Sequence, residues 1–277
     1  MLRTILIGLD GSPGSLVATD LAIRWARRYD AMLVGLGVID EPGIRQPLAV
    51  PAESGVYKQS TDENRVSETR HHVEQFLGQF SLRCAQAGVA SKVLEKSGLP
   101  SDALMSEAQR FDLIVVPRDA NFHFATQGRD DDTITAVLRG AGRPVVIVPP
   151  ELPANHSVVV AYDGSPQAAR TLQVFQTLAL NGVEPVHVVT VGETRLPAAK
   201  CADRAVEFLR SHEVQSEPHI VISGDPPGKA ILAEAARLGA GLVVMGACGQ
   251  PRLREFFFGS ATKHTLANST IPLFLYH

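Results

Sequence analysis

Short apolar runs alternate with amphipathic stretches along both halves of this chain. In the first half the runs fall near residues 4–9, 32–39, 91–96, 112–117 and 144–148. In the second they fall near 157–162, 185–191, 218–222, 241–245 and 272–276. Each has the length of a strand, and most are apolar along much of their length rather than strictly alternating, which is the pattern of a parallel strand covered on both faces. The segments between them carry helical spacing, as in Leu16, Leu21, Ile23, Trp25 and Ala26, or later in Ala230, Ile231, Ala235 and Leu238. Strand and helix in strict alternation predict an α/β chain in which each half is a five-stranded parallel sheet with helices on both faces.

The halves are also copies of one another. Ile5-Leu6-Ile7-Gly8-Leu9-Asp10-Gly11-Ser12-Pro13 recurs as Val158-Val159-Val160-Ala161-Tyr162-Asp163-Gly164-Ser165-Pro166. Ser97-Gly98-Leu99-Pro100 is answered by Ser223-Gly224-Asp225-Pro226, and Leu113-Ile114-Val115-Val116 by Leu242-Val243-Val244-Met245. The closing run Arg143-Pro144-Val145-Val146-Ile147-Val148 matches Ile271-Pro272-Leu273-Phe274-Leu275-Tyr276. Four matches in one order mean a duplicated domain. The expected domains are 1–150 and 155–277, joined through the stiff stretch Pro149-Pro150-Glu151-Leu152-Pro153. The first copy carries an extra stretch from Glu41 to about Asn64, rich in Pro, Gly and Ser, which reads as a flap over the sheet, as a partner-binding loop or as a tolerated surface insertion.

Composition narrows the function classes. The chain has 277 residues, 45% of them hydrophobic, enough for two cores, and no apolar run is long enough to span a bilayer. A net charge of -3 gives no electrostatic footprint for a nucleic acid. The start Met1-Leu2-Arg3 leads directly into the first strand and does not read as a signal peptide. Three scattered cysteines, Cys84, Cys201 and Cys248, suggest no disulfide framework, so a cytoplasmic setting is expected. The nine histidines show no paired ligand spacing, and no metal site is expected. Gly224-Asp225-Pro226-Pro227-Gly228-Lys229-Ala230 is one residue short of a P-loop and follows the wrong strand, and no Gly-x-Ser-x-Gly elbow is present.

Doubly wound sheets bind ligands beyond the carboxyl ends of their strands, so the residues just after each strand carry the information. Ser12 and Ser165 read as helix N-caps followed by Pro13 and Pro166. That leaves Asp10 and Asp163 at strand tips, either as turn aspartates or as groups facing a ligand. In the second copy the fourth strand runs into Gly246-Ala247-Cys248-Gly249, then nine residues to Gly259-Ser260 and a helix. Small residues and a helix start offer backbone N–H groups to an anion, and Arg252, Arg254 and Lys263 are placed to neutralise phosphate. Cys248 in this stretch reads as an inert small residue or, with a lowered thiol pKa, as a redox gate.

The spacing Gly246-x2-Gly249-x9-Gly259-Ser260, with Asp163 after the first strand, resembles the ATP-binding pattern of the universal stress protein family, and the resemblance covers both copies. It implies a strand order of 3-2-1-4-5 and ATP as ligand. Asp163 would then meet the ribose or adenine and the Val191 backbone the adenine edge. Gly246, Gly249, Gly259 and Ser260 would hold the phosphates, flanked by Met245 and Ala261. Mg2+ would ride with the phosphates. It further implies that the two domains pack through their closing strands as a pseudo-dimer, leaving a homodimer and protein partners open. The expected role is a nucleotide-sensing stress-response module with no catalytic residue; the alternatives are a slow ATPase at the same site and a nucleotide-free scaffold. In the first copy Pro117, Ala120 and Asp131 stand at the three glycine positions, and Asp130, Asp131 and Asp132 would repel phosphate, so that site is expected to be degenerate.

Overall fold

The computed structural model describes residues 1–46, 55–126, 132–182, 185–247 and 259–277. The first copy runs β1 (Thr4–Leu9), α1 (Pro13–Tyr29), β2 (Met32–Ile39), α2 (Glu41–Ile44), α3 (Gly55–Gln86), β3 (Ser91–Ser97), α4 (Pro100–Ala108), β4 (Leu113–Pro117), α5 (Thr133–Gly140) and β5 (Val145–Val148). The second runs β6 (Ser157–Ala161), α6 (Pro166–Leu178), β7 (Val186–Gly192), α7 (Arg195–Ser211), β8 (Ser216–Ile222), α8 (Pro227–Arg237), β9 (Ala240–Gly246), α9 (Ser260–Asn268) and β10 (Leu273–Tyr276). Among the described residues no helix is long and apolar enough to cross a membrane.

Two compact units result. Arg3–Ala141 holds a parallel sheet in the order β3-β2-β1-β4. The other, Gly142–His277 with Met1–Leu2, holds β5-β10-β9-β6-β7-β8. Counted within the second copy its own strands stand in the order 3-2-1-4-5, all parallel, as the doubly wound reading requires. The closing strand of the first copy clusters with this second unit, where β5 meets β10 antiparallel with Leu273 opposite Ile147 and Leu275 opposite Val145. Pairing of the two closing strands fits the tandem, pseudo-dimeric arrangement, and it removes two apolar edges at once.

Burial follows the hydropathy pattern. β1, β2, β4 and β5 are buried almost throughout, as continuous Val, Ile and Leu runs demand. The edge strands β3 and β8 are largely exposed, and they are also the most polar in sequence. Helix α1 buries Ala18, Leu21, Ala22, Ile23, Trp25 and Ala26, whereas Leu16, expected on the same face, is exposed. The insertion departs more clearly from expectation. Residues 41–44 form the short α2 and residues 55–64 belong to α3, which reaches 32 residues where its counterpart α7 has 17. More than half of the stretch is thus helical, in α2 and in the extended start of α3; residues 47–54 lie outside the described residues.

Candidate functional site

The tips of β6, β7 and β9 and the start of α9 frame a cavity of about 230 Å3 in the second copy. Asp163, Val191, Met245, Gly246, Gly259 and Ala261, six of the residues singled out from sequence, line it. Tyr162, Gln167, Val189, Pro227, Ile231 and Thr262 are among the other lining residues and were not anticipated as site residues. Ser260 is the first residue of α9, with Gly259 as its N-cap, and its side chain is exposed. Lys263 follows within the same first turn and is also exposed. Gly249, Arg252, Arg254 and Cys248 lie outside the described residues.

Local chemistry explains this geometry. Gly164 has φ +77°, a left-handed turn that lets the chain leave β6 and enter α6 within a few residues. Ser165 caps α6 by accepting from Ala168 N–H at 3.1 Å, with Pro166 at the first helical position. Asp163 accepts from Ser165 N–H at 2.9 Å and is otherwise exposed on the rim. Gly246 has a different task. A Cβ there would stand 3.1 Å from Ala168 N and from Gln167 C, so the missing side chain is what lets the start of α6 close on the end of β9. Beside the rim, the Cys201 thiol from α7 is pushed up by burial and by the Asp163 carboxylate, which disfavours the reactive thiolate.

The corresponding place in the first copy is filled by the chain itself. Asp10, 6% exposed, accepts from Ser12 N–H at 3.0 Å, from Ser12 Oγ–H at 2.6 Å and from Ser15 Oγ–H at 2.6 Å through Oδ1. Its Oδ2 accepts from Asn121 N–H at 2.8 Å, which ties the segment after β4 down over the strand tips. Phe122 then packs against Gly8, where a Cβ would come within 3.0 Å of the ring and of Val116. The next residue, His123, is buried and its Nδ1 lies 2.6 Å from Oδ2 of the buried Asp40 at the end of β2. Proline and aspartate were the features expected to close this crevice. Pro117 does end β4 and Asp132 stands at the N-cap of α5. Asn121, Phe122 and His123 occupy the crevice, however, and an Asn-Phe-His-Phe run directly after the fourth strand was the available signal. Asp130 and Asp131 lie outside the described residues.

A second cluster was invisible in sequence spacing. β7 and β8 pair in parallel with His187 opposite Glu217 and Val189 opposite His219. This register brings His187 Nδ1 to 3.0 Å from His219 Nε2, with the Glu217 carboxylate close by.

Tandem doubly wound α/β copies, one with an open crevice at its strand tips and one with that place filled, define the fold class. Comparison with known proteins narrows the class. The model of the universal stress protein family matches residues 1–149 and again 154–277, and the chain belongs to that family. A universal stress protein of Mycolicibacterium smegmatis is 26% identical over 304 aligned positions, spanning 97% of this chain and 95% of its own. The Synechocystis protein Slr1230, also a universal stress protein, is 27% identical over 191 positions, covering 68% of this chain and 66% of that protein. Among solved structures, a universal stress protein from Archaeoglobus fulgidus superposes with a TM-score of 0.69 at 20% identity, over 98% of this chain and 97% of the other.

Proposed function

We propose that the protein binds ATP at a single site, the crevice of the second copy, and acts as a nucleotide-sensing module of the stress response in the cytoplasm. The observation that carries this reading is the contrast between the copies: one crevice holds a cavity of about 230 Å3, and its counterpart is occupied by Phe122 and His123. The cavity falls below the range of roughly 300–1,000 Å3 that encloses a whole small ligand, so it suits the nucleoside part, with the phosphates outside it. Adenine would lie among Val189, Val191, Pro227 and Ile231, and Asp163 would accept from the ribose hydroxyls. The phosphates would run toward Gly246 and Gly249 and toward Gly259 and Ser260 at the start of α9, where the first-turn N–H groups and the positive end of the helix dipole favour anions. Arg252, Arg254 and Lys263 would neutralise their charge, and Mg2+ would ride on the phosphate oxygens without a protein cage.

Among the described residues Asp163 is the one carboxylate lining the cavity, and it is assigned to the ribose, so the reading is of a binding module whose hydrolysis, if measured, is weak. Two experiments test it. Tag-free protein, purified without added nucleotide and then denatured, should release adenine nucleotide recognisable by absorbance and chromatography, or should bind ATP on titration. Folded protein that neither retains nucleotide nor binds ATP at millimolar concentration would leave the scaffold reading in its place. Incubation with ATP separates the slow-ATPase reading: steady ADP formation that is lost in Gly259→Asp would favour it.

A further inference from the structure

Away from the crevice, the start of β7 and the middle of β8 bring together groups that the nucleotide reading does not use. We propose that His187, His219 and Glu217 form a binding site for a divalent transition-metal ion of the zinc type, independent of the nucleotide site. His187 Nδ1 and His219 Nε2 lie 3.0 Å apart, and the ligand atoms of all three residues lie within 4.8 Å of one another. Two imidazoles on one tetrahedral zinc, each at about 2.0–2.1 Å, hold their nitrogens about 3.3 Å apart, so the two rings need to separate by only a few tenths of an ångström to admit the ion. Both rings are half-buried and Glu217 is exposed, which leaves a way in for the ion and a fourth position for water.

The surroundings point the same way. His219 turns its other nitrogen, Nδ1, toward Glu234 Oε1 on α8, 3.7 Å away. A carboxylate on that side, at ion-pair rather than hydrogen-bond distance, favours the tautomer with a proton on Nδ1 and leaves the Nε2 lone pair facing His187. Arg237 fixes Glu234 with hydrogen bonds at 2.6 and 2.9 Å, so the orienting carboxylate is itself held. The site is built across two parallel strands from residues 32 positions apart, and its geometry follows from strand register rather than from any local motif. Val191 lies four residues further along β7 than His187, about 13 Å at strand rise, so the two sites share no ligand.

Zn2+ titration of tag-free, chelator-washed protein against a chromophoric competitor tests the proposal. One equivalent per chain should bind, and His187→Ala and His219→Ala should each weaken binding at least about tenfold. Glu234→Gln, which touches no metal, should weaken it within about 10–100-fold and leave the stoichiometry unchanged. X-ray absorption of the wild-type protein with one equivalent of Zn2+ needs no variant and should show two imidazole nitrogens at about 2.0–2.1 Å with oxygen completing the shell. A folded wild-type protein that fails to bind Zn2+, a doubly substituted His187→Ala/His219→Ala protein that binds as before, or an absorption shell with fewer than two imidazoles would each overturn it.

Discussion

Phe122→Ala tests whether the first crevice is sealed by its own chain. The ring is 1% exposed, and a methyl group added at Gly8 would meet it at 3.0 Å, with Val116 at 3.0 Å and Leu104 at 3.2 Å beside it. Truncating such a phenylalanine removes its transfer free energy and leaves a cavity that Gly8 cannot fill, a loss of about 3–5 kcal/mol. Against a typical domain stability of about 5–15 kcal/mol this is a large fraction. With a urea dependence near 2 kcal/mol per molar, the unfolding midpoint of that unit should fall by roughly 1.5–2.5 M while the slope stays constant. Phe122→Leu, nearer in volume, should lose about 1.5 kcal/mol or less. The void is apolar, so benzene or indole should restore part of the lost stability to Phe122→Ala. A loss below about 1 kcal/mol, the range of surface substitutions, would refute the sealed-crevice account.

Three further outcomes follow from the same geometry. Asp10→Asn puts an amide where four donors converge and should destabilise by about 1–3 kcal/mol without changing ATP binding, whereas Asp163→Asn should leave the melting curve nearly unchanged and weaken ATP about tenfold or more; equal effects on both measurements would argue against the contrast between the copies. Gly246→Val should force the start of α6 off β9 and lower both nucleotide affinity and the melting temperature, the latter by an overpacking cost of about 1–3 kcal/mol. Burial pushes the Glu107 carboxyl up, but hydrogen bonds from Lys96, at 2.8 Å, and Arg110 outweigh it and hold the group below its usual value of 4.5. Its contribution is therefore present above pH 4.5 and is lost as pH falls through the lowered folded value, so Glu107→Gln should flatten the acid limb of a stability–pH curve measured in urea.

The strands were legible in the sequence because a strand buried on both faces is apolar along its own length, and that property is local. β1, β2, β4 and β9 lie within a residue or two of their hydropathy runs. β8 begins at Ser216, two residues before its apolar run, because an edge strand tolerates polar positions such as the exposed Glu217. The candidate site was legible where it depends on backbone: Gly246, Gly259 and the α9 start are turn and helix-end features with their own composition. What the sequence did not show depends on where distant segments meet. Phe122 reaches Gly8 only because Asn121 is pinned by Asp10, and His187 meets His219 only through the register of β7 on β8. The stretch after Glu41 misled for a different reason. Its polar composition suits a loop, yet residues 55–64 continue a helix whose buried Val66, Val73, Phe76 and Phe80 lie further on.

How two copies of one domain came to differ at a single crevice can be followed through a few exchanges. The register of β1 on β4 and of β6 on β9 makes Pro117 the counterpart of Gly246, and the shared Asp-Gly-Ser-Pro turn makes Gly14 the counterpart of Gln167. In the first copy a Cβ at Gly14 would come within 3.0 Å of the Pro117 ring, and in the second a Cβ at Gly246 would press on Gln167. Bulk has moved from one side of the contact to the other, and the helix start is accommodated in both. The exchange is not neutral for a ligand, because Pro117 removes a backbone donor at the strand tip and Gly246 retains one. One residue further along the helix, Ser15 in the first copy donates to Asp10 at 2.6 Å, and Ala168 in the second cannot donate to Asp163. The first aspartate is thereby consumed as a structural acceptor that fastens the plug, and the second keeps a carboxylate oxygen for the rim. Restoring the donor with Ala168→Ser should lower ATP affinity while raising the melting temperature slightly, and unchanged affinity would separate the fate of the aspartate from that of the crevice.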